Sequence, residues 1–258
     1  MRTRLLTMIS ISVLAAPLGV HSQVPEYERM PRGFNKHAIS VDASDVCPAG
    51  GRTNADLQRR MNRIDPIPTY GWVWVTLDAI RKLDWPRAAN RVDRFSWDAI
   101  LTPAQRDSVR AYEGTPVAVD GFLMVDNRRR LPVIAAGLLD KASTNCGRRG
   151  GEQEDWHFLL TRNQTETRTD AIVVTVTPQM RQAGWNLAKL DEIARRGVMV
   201  RIWGWLLFDQ EHPEQIMVRS KRTKGRVTPW VVHPIVEIEV FQDMQTLVPL
   251  KDWGNRRR

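Results

Sequence analysis

A change in hydrophobic period after Gly114 constrains the fold of this chain more than any other feature. Five successive runs beyond this point alternate apolar and polar residues or are rich in β-branched residues, which is typical of β-strands. One capped helix, from Asn186 to Gly197, separates the third run from the fourth. Five strands with a helix in that place are the pattern of an OB-fold. The sequence therefore predicts a mainly β fold with accessory helices (α+β), an OB-like five-stranded Greek-key barrel over residues 115–242.

Three short helical patterns precede the predicted barrel, namely "NADLQRRMNR", "TLDAIRKL" and "TPAQRDSVRAYEG". Thr76 and Thr102 are placed to cap the second and third helices, and Gly114 to end the third. We expect residues 55–114 to pack on the barrel, because about 60 residues would make a marginal core alone. A separate N-terminal domain is the alternative.

The N-terminus has the pattern of a secretory signal peptide over residues 1–22. Two arginines precede an apolar run from Leu5 to about Val20, and cleavage is expected near Ser22. A membrane anchor is the weaker alternative, because Pro17 and Gly19 interrupt the run and it is shorter than the ~20 apolar residues that a span needs. We therefore expect a periplasmic or secreted protein, with residues 23–54 as an extended arm.

The only two cysteines, Cys47 and Cys146, are predicted to form a disulfide. An even pair in an exported chain is most simply one bridge. It would close a loop of about 100 residues and stabilise the fold by roughly 4 to 5 kcal/mol in the chain-entropy model. The bridge would also fix the extended arm to the barrel.

The net charge of +9, or +7 without the arginines of the signal peptide, favours an anionic partner. Much of the excess lies in the basic tail, residues 243–258, and in "RSKRTKGR", which ends at Arg226. A solvated loop is the alternative to a binding loop for this second run. The cations predicted to bind the partner are Arg219, Lys221, Arg222 and Lys224.

Histidines and carboxylates are the candidates for catalysis, because no phosphate loop, zinc helix or nucleophile elbow is present. Asp209, His212 and His233 could hold a metal ion or activate water, with Glu211 nearby. His157, beside Asp155, is expected to be structural. His157 is also expected at the end of the barrel opposite His212 and His233, since the second strand runs antiparallel to the fifth. We predict no cofactor and no metal.

An arginine and two tryptophans share one face of the fourth predicted strand: Arg201, Trp203 and Trp205. An exposed face of this kind on an OB barrel stacks nucleotides or sugars. The alternative is that the N-terminal helices cover the face, since their tryptophans, such as Trp72 and Trp74, need burial partners.

Several stretches together resemble a bacterial family of exported or soluble proteins without an established activity. They include "EGTPVAVDGFL", "DWHFLL", "VVTVTPQMR", "VRIWGWLLFDQEHPE" and "WVVHPIVEIEV", and the resemblance covers about residues 45 to 241. It implies an OB-like barrel and no particular reaction. The basic insert "IMVRSKRTKGRV" departs from the family's pattern.

Three functional hypotheses follow from these observations. The first is an exported OB-like module that binds a protein, a glycan or another anionic partner without catalysis. The second is a metal-assisted hydrolase, acting on phosphodiesters, that uses Asp209, His212 and His233. The third is nucleic-acid binding outside the cytoplasm. Fold alone does not choose among them.

Overall fold

The computed structural model describes residues 71–86, 102–124, 155–209, 226–243 and 245–254. The strands are β1 (Val73–Val75), β2 (Pro116–Leu123), β3 (Trp156–Thr161), β4 (Ile172–Val176), β5 (Met199–Phe208), β6 (Trp230–Phe241) and β7 (Leu247–Pro249). The helices are α1 (Leu77–Lys82), α2 (Pro103–Arg110) and α3 (Leu187–Arg195), with 3-10 turns at Arg168–Asp170 and Pro178–Met180.

Five of the strands close into a mixed barrel in the order β2-β3-β4-β6-β5, and β5 pairs back to β2. The β4–β6 pair is parallel, and the other four pairs around the barrel are antiparallel. Helix α3 lies in the chain between β4 and β5. This strand order and helix position are those of an OB-fold, so the predicted fold class is confirmed.

The three described helices begin where their capping residues predict. Thr76, Thr102 and Asn186 each accept a hydrogen bond from a backbone amide of the first turn. Pro103 occupies the first helical position of α2, where its missing amide costs nothing. Buried side chains of α1, α2 and α3 join the core of the barrel, so these helices pack on it.

Alternate residues of the strands point into one hydrophobic core. In β3 and β4 the inward residues include Phe158, Leu160, Ile172 and Val174. Gly121 of β2 faces this crowded interior, where a Cβ atom would lie 2.8 Å from Leu160 Cγ. Only glycine lets β2 approach β3 this closely while it also pairs with β5.

Strand β6 contains two more residues than β5 over the same paired stretch. Val200 pairs with Val240 and Phe208 with Trp230, with irregularities on both sides of Gly204. The extra residues bend β6, as β-bulges do. A Cβ atom on Gly204 would lie 2.6 Å from the Pro234 carbonyl oxygen, so the bulge packs directly on this glycine.

Two short strands extend the sheet beyond the predicted elements. β1 lies within the predicted helical segment and pairs in parallel with β2. β7 lies within the predicted basic tail and pairs with β6. Leu250 and Trp253 are buried in the main core, so the folded part of the chain reaches further than the pattern indicates.

Several predicted features lie outside the described residues. They are the signal peptide 1–22, the arm 23–54, the first predicted helix, and both cysteines Cys47 and Cys146. No helix in the described ranges combines the length and the apolar character that crossing a membrane requires.

Candidate functional site

The outer face of β3, β4 and β6 carries a row of polar side chains. His157 of β3 is paired with Thr175 of β4. Val174 of β4 pairs with Val232 of β6, so the next residues along this parallel pair, Thr175 and His233, are neighbours too. Because the flanking residues Val174 and Val232 point into the core, the row His157–Thr175–His233 faces outward.

The expectation that His157 and His233 lie at opposite ends of the barrel is wrong. β6 has twelve residues and β4 has five, and only the first part of β6 runs beside β4. The early residues of β6 therefore lie at the level where β3 begins. Antiparallel direction alone does not fix position, since a long strand extends past its short neighbour.

His157 is partly exposed and its ring is oriented by a side chain. Its Nδ1 lies 3.0 Å from the Thr175 hydroxyl oxygen, within hydrogen-bonding distance. The Thr175 hydroxyl is thus a defined partner for the predicted structural role of His157. Asp155, just before β3, and His233 are both buried.

Asp209 lies at the other end of this outer face, where β5 ends. Its Oδ2 accepts a hydrogen bond from Arg226 Nη2 at 2.6 Å, and both side chains are buried. The backbone amide of Asp209 donates to the Pro229 carbonyl oxygen, so Asp209 lies beside Pro229. His233 is four residues after Pro229, which is roughly 13 Å along an extended strand. An apolar row that includes Val231 and Leu207 lies between them.

Two members of the candidate set Asp209, His212 and His233 are described, and these two, Asp209 and His233, lie apart. Asp209 is engaged with Arg226, and His212 and Glu211 lie outside the described residues. Within the described part of the chain, no three His, Cys, Asp or Glu side chains are placed to hold a metal ion.

The predicted aromatic face of β5 is covered and not open. Trp203 is 1% exposed and Trp205 is 7% exposed. The ring of Trp72 packs edge-on against Trp203 at 5.2 Å and tilted against Trp205 at 6.2 Å. The face is therefore buried, and in the described part of the chain the ring that packs on both tryptophans is that of Trp72, just before β1.

Arg201 is the centre of a charged row on the same face. Its guanidinium forms two hydrogen bonds to Asp120, at 2.7 and 2.9 Å, and stacks 3.9 Å from the centre of the Trp74 ring. In the strand register Arg201 lies between Asp120 of β2 and Glu239 of β6. Arg201 is thus buried among protein groups, which leaves no exposed guanidinium for a ligand here.

Two carboxyl groups of β6 are buried beside this row. Glu239 accepts a hydrogen bond from Trp203 Nε1 at 2.8 Å, and burial raises the pKa of its carboxyl group. Glu237 is 1% exposed and accepts from Gln182 Nε2 at 3.0 Å and from the Ile238 amide at 3.1 Å. Burial raises the pKa of Glu237 to about 8, and both hydrogen bonds oppose this shift.

Sequence reasoning missed the two buried glutamates and the role of Arg226. Alternating charge in "VEIEV" is typical of a solvent-facing strand surface, and here that surface is covered. The available signal was Arg201 in the neighbouring strand, since a buried arginine requires a carboxylate. The four predicted binding cations of the basic segment lie outside the described residues; they are Arg219, Lys221, Arg222 and Lys224.

Comparison with known proteins adds no family to this description. No family model, curated protein or solved structure matches the chain. The resemblance to an exported bacterial family therefore stays a prediction.

Proposed function

We propose that this chain is an OB-type binding module that recruits an anionic partner through the basic segment between β5 and β6, without catalysis. The observation that carries the proposal is the buried ion pair between Asp209 and Arg226, which joins the two ends of that segment. The predicted export to the periplasm or the medium would put the partner outside the cytoplasm.

The ion pair holds the two ends of the basic segment together. Asp209 and Arg226 bracket sixteen residues, 210–225, and the Asp209 amide also bonds the Pro229 carbonyl. Antiparallel strands can be joined by two to five residues, so this connection exceeds what the fold requires. Excess length on a rigid scaffold is typical of binding loops, whose contacts need a firm attachment.

The charge of the segment favours an anionic partner. Arg219, Lys221, Arg222 and Lys224 lie within six residues, and no acidic residue separates them. Arg226, the fifth cation of the run, is neutralised by Asp209 and helps to hold the ends of the segment together. In OB barrels the loop between the fourth and fifth strands flanks the ligand face, and here it joins β5 to β6.

The test is a comparison of two charge-matched variants. The loop variant replaces Arg219, Lys221, Arg222 and Lys224 with Gln. The control replaces Lys82, Arg110, Arg195 and Arg196, which are exposed on helices or just beyond one, with Gln. Fluorescence anisotropy then measures affinity for three labelled probes: a sulfated glycan, a single-stranded oligonucleotide and an acidic polypeptide.

We expect the loop variant to lose roughly tenfold or more in affinity for the preferred probe, while the control changes little. The preferred probe also separates the glycan, nucleic-acid and protein alternatives. Equal losses in the two variants would mean that only net charge matters, and wild-type protein that binds none of the probes would also contradict the proposal.

A further inference from the structure

The end of the barrel from which the basic segment extends is rich in aromatic rings. Phe208 ends β5 and pairs with Trp230, the first residue of β6, and their rings meet edge-on at 5.2 Å. Tyr112, two residues after α2, packs edge-on against the same Trp230 ring at 6.1 Å. Asp209, which directly follows Phe208, pairs with Arg226 at the two ends of the segment. The Tyr112 ring therefore lies beside the point where the segment leaves and rejoins the barrel.

Tyr112 differs from the two rings beside it in exposure. Phe208 and Trp230 are fully buried in the main core, whereas Tyr112 is 45% exposed. Among the described residues, large hydrophobic side chains are exposed at three positions: Val73, Tyr112 and Val227. Val227 directly follows Arg226, so two of these three positions lie at this end of the barrel. The cationic segment thus adjoins exposed apolar surface.

Tyr112 belongs to a turn that is bonded to the barrel. Its carbonyl oxygen accepts hydrogen bonds from the Thr115 amide at 3.2 Å and from the Thr115 hydroxyl at 2.7 Å. The Gly114 amide of the same turn donates to the Leu206 carbonyl oxygen of β5 at 2.7 Å. Because the Trp230 ring also contacts it, the Tyr112 ring has a defined position before a partner binds. Such preorganisation lowers the entropic cost of binding.

An exposed aromatic ring beside a cationic segment distinguishes between classes of anionic polymer. A single strand of nucleic acid presents a phosphate charge and a flat base at each nucleotide. Proteins bind such strands by combining positive charge along the backbone with aromatic side chains on which the bases stack. A sulfated glycan or an acidic polypeptide presents its charges without a row of flat bases. The ring therefore favours the nucleic acid.

We propose that the anionic partner is a single-stranded nucleic acid, whose phosphates bind the cations of the basic segment while one of its bases stacks on the Tyr112 ring. Trp230 is a positioning residue, since it contacts the Tyr112 ring and is itself fully buried. The inference rests on the proposed function, because the basic segment supplies the charge that brings the strand to the ring.

Fluorescence anisotropy with two labelled oligonucleotides of equal length tests the stacking step. One is an oligothymidylate, and the other is an abasic strand that keeps the phosphates and lacks the bases. We expect the wild-type chain to bind the oligothymidylate roughly tenfold more tightly than the abasic strand. Tyr112→Leu keeps an apolar side chain against Trp230 but has no ring, so this preference should be lost. Tyr112→Phe keeps the ring and should keep the preference, and urea denaturation checks that both variants are folded.

The variant with Arg219, Lys221, Arg222 and Lys224 replaced by Gln separates this inference from the proposed function. It should bind both strands more weakly by a similar factor, because both carry the same phosphates. Wild-type protein that binds the two strands equally would overturn base stacking, and this comparison needs no variant to fold. A folded Tyr112→Leu variant that keeps the preference, or tighter wild-type binding to a sulfated glycan, would overturn it too. In these cases the proposed function stands if the Gln variant still binds its polyanion more weakly, and it fails if that variant binds like wild type.

Discussion

Asp209 and Arg226 form a buried ion pair, with Oδ2 and Nη2 2.6 Å apart, at the point where the basic segment leaves and rejoins the barrel. Both side chains are removed from water, so each charge is stabilised by the other. The pair connects the fold to the proposed function, because it holds the ends of a segment that is longer than the barrel needs.

Breaking this pair should be costly. Arg226→Met removes the guanidinium that pairs with the buried Asp209 carboxylate, and we expect the free energy of unfolding to fall by about 3 to 5 kcal/mol. The double variant Asp209→Asn with Arg226→Met removes both charges and should regain much of the loss. Urea denaturation measures both. A single variant within about 0.5 kcal/mol of wild type would show that the pair behaves like a surface ion pair.

Gly204→Ala should destabilise the barrel at the β6 bulge. The new Cβ atom would lie 2.6 Å from both the Pro234 carbonyl oxygen and Val232 Cγ1, and a backbone oxygen cannot move aside cheaply. We expect a loss of about 3 kcal/mol, at the upper end for overpacked sites, by urea denaturation. An unchanged midpoint would contradict the close contact between β5 and β6.

The strands and helices of this barrel are predictable because local chemistry fixes them. Thr76, Thr102 and Asn186 are capping residues that start helices wherever they occur before a suitable run. The alternation of apolar residues marks the strands, and the position of α3 selects the topology. β1 is missed because three residues beside a helix cap provide too short a pattern.

The polar sites are less predictable because they depend on register between distant strands. His157 and His233 share a row only because β6 is staggered along β4, and no local pattern records that stagger. Glu237 and Glu239 have the alternation of a solvent face, but they are buried and accept hydrogen bonds from Gln182 and Trp203, which lie more than thirty residues away in the chain.

Stability should depend on pH through Glu237. Its pKa in the folded chain is about 8, above the ordinary value of 4.5, so the folded state holds a proton that the unfolded state has lost between these values. The free energy of unfolding should therefore fall as pH rises from about 5 to about 8, by up to about 1.4 kcal/mol per pH unit, and then level. Glu237→Gln should flatten this slope in urea denaturation, and a slope that persists in the variant would assign the effect to other groups.

His157 should contribute to the fold and not to partner binding. Its bond to Thr175 is worth about 1 kcal/mol, so His157→Gln and Thr175→Val should each cost a similar small amount. The double variant should cost less than the sum of the two, because one bond is removed twice. Anisotropy with the preferred probe should show affinity close to wild type for His157→Gln. A folded variant that no longer binds would make His157 a binding residue.

The salt dependence of partner binding tests the central claim most directly. Affinity of the wild-type chain for its preferred labelled polyanion is measured from about 50 to about 200 mM NaCl, beside the variant with Arg219, Lys221, Arg222 and Lys224 replaced by Gln. If these four cations contact the partner, the logarithm of the wild-type affinity falls linearly with the logarithm of the salt concentration, and the variant's slope is shallower by roughly three for single-stranded nucleic acid. Identical slopes for the two proteins would contradict binding through the basic segment.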